Sequence, residues 1–136
     1  MNKSDSGSAI YLIKEDFAAK LTSTSPQDRL FLPWYMGYQP SRQASGEFAR
    51  LLQEDLSKLA PGWKCPTRSG PIAVLASTTM PSVALEIGNL NSTSPPPGKE
   101  LVGGGLSIVD SGFQNKIVAT IVTAIERYAA ARRGGA

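Results

Sequence analysis

The sequence contains no histidine and only one cysteine, Cys65, among its 136 residues. The first absence removes the side chain that most often activates a serine or cysteine nucleophile, so Cys65 reads as a small semi-buried side chain in a linking segment. The second excludes an internal disulfide and leaves the redox compartment open. No apolar run approaches the roughly 20 residues of a membrane-spanning helix. The opening segment, MNKSDSGSAIYLI, lacks the basic stretch and long apolar core of a secretory signal. Charge is also in short supply: the excess is +3, much of it from Arg132 and Arg133 in the tail. That leans towards anionic partners such as cell-wall polymer or an acidic peptide, and is too small to point to nucleic acid.

What is present fits one globular domain with an α/β layer arrangement. Apolar residues make up 41% and charged residues 18%, while Gly 13 and Pro 10 make the chain loop-rich for its size. Residues 1–7 are polar and small and read as disordered or a linker, residues 8–132 as the domain, and residues 133–136 as a tail. The expected order is strand, helix, strand, strand, helix, a partial layered sheet flanked by helices. Ala9 to Ile13 forms the first strand, bounded by Gly7-Ser8 and Lys14-Glu15-Asp16. Ser41 to Leu59 is a helix, with Ala44, Phe48, Leu51, Leu52, Leu56 and Leu59 on one side and Pro61-Gly62 ending it. The closing helix runs from about Gly112 to Arg132. Ser111 and Gln114 stand at capping-box spacing, and Phe113, Ile117, Val118, Ile121, Val122, Ile125 and Tyr128 line one stripe.

Chemistry concentrates between Ile72 and Ser92. Two strands are expected there, Ile72 to Leu75 and Ser82 to Ile87, joined by a polar turn with Met80-Pro81. In the second, Val83, Leu85 and Ile87 point one way and Ala84 the other, so both faces are apolar, as in a sheet covered by helices on each side. The exception is Glu86, a carboxylate at the carboxyl end of the strand, followed at once by Gly88 and a polar turn. Open α/β sheets place their ligand sites at such an end. Residues 89–105 leave the sheet there as a Ser, Pro and Gly-rich loop, and put Asn89 and Asn91 at the rim as candidate substrate contacts. The triple glycine is no phosphate cradle, since neither a leading strand nor a Lys-Ser or Lys-Thr accompanies it. Upstream, Phe31, Trp34, Tyr35 and Tyr38 lie close together. Trp34 and Tyr35 are candidates for stacking on a sugar or peptide, against the simpler reading of a loop folded back over the core.

The octet Pro81-Ser82-Val83-Ala84-Leu85-Glu86-Ile87-Gly88 resembles the Pro-to-Gly segment around the catalytic glutamate of zinc-dependent N-acetylmuramoyl-L-alanine amidases, which cut peptidoglycan. Phe113-Gln114-Asn115-Lys116-Ile117-Val118-Ala119, running on to Tyr128, is similar to that family's closing helix. Ser41-Arg42 with its helix and Val74-Leu75 occur in the same order and at similar spacing. The resemblance covers the later half of the family's catalytic domain. It implies an amidase-like fold and hydrolysis of the amide between N-acetylmuramic acid and L-alanine, with Glu86 as general base to a zinc-bound water. It also implies a peptidoglycan or muropeptide partner and work outside the cytoplasm, in the cell envelope or periplasm. The family's zinc is held by two histidines and a glutamate upstream of the matched region, and this chain shows no metal-ligand spacing of its own. After Gly88 the chain has Asn89, Leu90, Asn91 and Ser92, where the family usually has an aromatic, an aliphatic, a small polar residue and Asn. Three expectations follow. The chain is the later portion of an amidase whose metal-binding half lies elsewhere, or a degenerate domain that binds peptidoglycan without cutting it, or a fold remnant serving protein association. Without the family's earlier strands its sheet has an open edge, at which a second copy or a partner chain is expected.

Overall fold

A computed structural model describes residues 8–17, 33–59, 64–88 and 111–134. Three strands form one sheet in the order β2-β1-β3: β1 Ala9–Ile13, β2 Thr67–Gly70 and β3 Ala84–Glu86. The centre is β1, which runs parallel to β2 and antiparallel to β3. The described residues also form two α-helices, α1 Arg42–Leu56 and α2 Ser111–Arg133. The chain is therefore mixed α/β.

The alternation along β1 sorts the interior into two clusters. Ile10 and Leu12 face α1 and α2, where Ala49, Leu52, Leu56, Cys65 and Ala124 close a core with Val83 and Leu85 packed against it. Ile13 faces the other way, into Met36, Tyr38, Leu75 and Ala76. Val83 and Leu85 thus pack apart from Ala84, as their alternation predicts. Among the described residues, the expectation of helices on both faces is not met. The long helices share one face, and the other is covered by short 3-10 turns at Trp34–Met36, Gln39–Ser41 and Ala73–Leu75.

The strand expected at Ile72 to Leu75 is one of those turns, and the strand that pairs with β1 lies a few residues earlier. Thr67–Gly70 fills the register from Ile10 to Ile13, so β1 has no free length on that side for the residues after Pro71. Three of the four β2 residues are exposed and polar, which is why no apolar period marks them. Only Leu75 of its turn is buried, and Val74 stands 74% exposed. The strand expected at Ser82 to Ile87 is shorter, and the expected long helix α1 gives way after Leu56 to a tighter turn through Leu59.

Ser41 and Ser45 tie the start of α1 to the chain before β3. Ser41 Oγ donates to Thr79 O at 2.8 Å, and Ser45 Oγ donates to Ser41 O at 2.9 Å while accepting the Ser82 amide at 2.9 Å. Ser45 is therefore buried with its hydroxyl used in both senses. At the other end of the helix, Asp55 is buried and its Oδ1 accepts from both Lys58 Nζ and Arg127 of α2. This carboxylate bolts α1 to α2.

The stripe expected on α2 proves too wide for one interface. Phe113, Ile117 and Ala124 are buried, whereas Val118, Val122 and Ile125 are between 47% and 59% exposed. At about 100° per residue the two sets stand about a third of a turn apart, and only the first is buried, Ala124 against Ala49, Leu52 and Leu56 of α1.

Candidate functional site

Glu86 is the last residue of β3 and pairs with Ala9, the first residue of β1. Because β3 is antiparallel, its carboxyl end lies beside the amino ends of β1 and β2. The expected siting at the carboxyl ends of the sheet is thereby corrected, and among the described residues β3 is an edge strand. The carboxylate is exposed, and its Oε2 accepts from Tyr11 OH at 3.0 Å across the sheet face. Just beyond it, Ser8 Oγ donates to Ile87 O and clips the end of β3 to the start of β1. Tyr11 was not singled out by sequence reading. Its alternation with Ile10 and Leu12 is the signal that would have placed it on the face shared with Glu86.

The remaining candidates that are described do not gather around Glu86. Trp34 is 70% exposed and meets Tyr35 edge to face, with ring centroids 5.7 Å apart. Tyr35 packs against the cluster of Ile13, at the opposite end of β1 from the Ala9 pairing. Tyr38 is buried in that cluster, and its hydroxyl donates to Glu15 O at 3.2 Å. Of the aromatics in this segment that are described, only Trp34 offers an open ring. Asn89, Asn91 and Phe31 lie outside the described residues.

A second polar constellation occupies the end of the sheet that Glu86 does not. A cleft of about 400 Å³ is lined by Glu15, Tyr38, Gln39, Arg42 and Gln43. It follows directly on the carboxyl end of β1, where Lys14 N also reaches Gly70 O at the carboxyl end of β2. Arg42, the first residue of α1, holds Glu15 Oε1 at 2.7 Å. The hydrogen bond from Arg42, followed by its charge, keeps the Glu15 carboxyl below its ordinary value. In the sequence Lys14-Glu15-Asp16 marks only the end of a strand, and the 26 residues that separate Glu15 from Arg42 in the chain hide their pairing.

Zinc has no fitting donor set among the described residues. The sequence has no histidine, and no three Cys, Asp or Glu side chains converge among those described. Cys65 is buried, and burial pushes its thiol up to about 11, so it is held as the neutral thiol. Neither cleft nor carboxylate is therefore assigned metal chemistry. No helix among the described residues is long and apolar enough to cross a membrane. In comparisons with family models, curated proteins and solved structures, nothing matches the chain.

Proposed function

We propose that this chain is an amidase-type domain that binds peptidoglycan and does not cleave it unaided. One observation supports this reading above the others. The octet that resembles the amidase segment runs through β3 and leaves Glu86 turned to solvent beside Tyr11, a surface polar pair open to a polymeric ligand. The same placement favours binding over hydrolysis. A general base works best where water is excluded and its partners are fixed around the reacting atoms, whereas Glu86 is exposed at the end of β3. Zinc remains the group the family resemblance implies, and the residues described here do not supply its cradle.

The test has two arms on one preparation. Purified chain incubated with insoluble peptidoglycan is expected to sediment with it, and soluble muropeptides are expected to stay intact with or without added zinc. Failure to sediment would overturn binding. Release of free stem peptide would show hydrolysis and overturn the rest.

The same reading carries an assembly. Among the described residues, the outer edges of β2 and β3 have no strand partner. A second copy, or a chain carrying the missing strands, is the partner that such edges fit.

A further inference from the structure

The cleft at the carboxyl end of β1 carries more specific chemistry than its surface position conveys. Its walls present one cation and one anion, Arg42 and Glu15, bonded to each other. Both are well exposed, with 46% and 77% of their side chains accessible, so their mutual attraction is weak and readily exchanged. A ligand bearing charge of only one sign would leave one of the two without a counter-charge. A ligand bearing both signs replaces each partner with its own: a carboxylate for the guanidinium of Arg42, an ammonium for the carboxylate of Glu15. Gln39 and Gln43 line the same cleft. The Gln43 amide donates to Glu47 Oε1 at 3.3 Å, which leaves its oxygen to accept. Tyr38, packed in the core and fixed through its hydroxyl to Glu15 O, makes the floor. At about 400 Å³ the space is within the range of small-ligand sites, and it opens where α/β sheets place ligands.

We propose that this cleft binds a short peptide segment carrying a free ammonium and a free carboxylate, which part Arg42 from Glu15, with the Gln39 and Gln43 amides hydrogen-bonding its peptide groups. Its natural form, and here alone the inference rests on the peptidoglycan reading, is the stem peptide rather than the glycan. The stem presents both charges on a flexible chain, whereas the sugars offer hydroxyls and acetamides that need neither Arg42 nor Glu15.

The experiment is a titration of the full chain followed through its backbone amide resonances. The probes are trialanine with free termini, its N-acetylated and C-amidated forms, and the pentapeptide L-Ala-D-Glu-L-Lys-D-Ala-D-Ala. Free trialanine and the pentapeptide are expected to shift the amides of Glu15, Gln39, Arg42 and Gln43. Blocking either end of trialanine is expected to weaken binding about tenfold or more, as is Arg42→Gln or Glu15→Gln. Should a variant fail to fold, the blocked peptides decide the matter on the unaltered chain. Silence of these amides, or shifts that survive blocking of both ends, would overturn the proposal. Retention on insoluble peptidoglycan with a silent cleft would sink this inference and spare the binding function. Binding of trialanine in the cleft without retention would do the reverse.

Discussion

Tyr128 shows how much a single buried oxygen matters. Its ring packs edge to face on Phe48 with centroids 5.5 Å apart, while its hydroxyl is buried without a hydrogen-bond partner among the described residues. A hydroxyl in that position keeps its desolvation cost and gains nothing in return. Tyr128→Phe is therefore expected to leave the fold intact and to raise stability by up to about 1 kcal/mol in urea denaturation. Loss of more than that would mean that the hydroxyl has a partner. Cys65 offers a companion measurement. With its thiol pushed up to about 11 by burial, it is expected to resist a disulfide reagent at pH 8 in the folded chain and to react promptly once urea unfolds it. At this scale the sequence was a fair guide to who is inside and a poor one to who meets whom. Glu86 stood out because an acid in an apolar run is conspicuous. Glu15 did not, because a charged strand end is ordinary and its partner lies on a separate element.

Elements are joined here by a few polar contacts whose removal has signed consequences. Burial alone would raise the pKa of Asp55. The hydrogen bonds from Lys58 and Arg127, with their charges, outweigh it and hold Asp55 below its ordinary 3.8. A depressed carboxyl stabilises the fold above the unfolded value, and that contribution is lost as pH falls through the folded one. Asp55→Asn is accordingly expected to cost about 1–3 kcal/mol at pH 7, with the gap to the native chain closing below 3.8. A gap that persists at pH 2 would place the loss in packing instead. At the other end of α1, Ser45→Ala strips the Ser82 amide of its acceptor and is expected to cost about 1–2 kcal/mol in thermal denaturation. The helices were legible because their apolar spacing runs over many residues. The strands were not: β2 is four residues held by backbone pairing to β1, with polar side chains facing out, and no periodicity can announce it. The apolar run Ile72 to Leu75 promised a strand, and pairing already completed by β2 left it to fold as a turn.

For the whole molecule, two features stand against a self-sufficient monomer. The sheet has three strands with both edges short and open among the described residues. The unused side of α2 shows Val118, Val122 and Ile125 to solvent. Such surfaces are commonly covered by a partner. The chain is expected to run as a dimer or larger species in light scattering at micromolar concentration, with dissociation on dilution. A single monomeric species across that range would count against assembly. The mixed α/β class could be read from the order of apolar segments, since layers follow from which faces must be covered. The direction of each strand could not, and that direction decides which end of the sheet Glu86 occupies.

The central position of β1 sets the timetable of synthesis. On the ribosome it emerges ahead of both strands that flank it, and its bonds wait until β2, at the middle of the chain, and β3, beyond it, have been made. Long-range pairing of this kind folds slowly and leaves sticky segments bare in the meantime. A nascent chain halted before residue 67 would hold Ala9–Ile13 with no neighbour to join, a natural client for a chaperone. A circular permutant that delivers this strand last should fold faster than the native order.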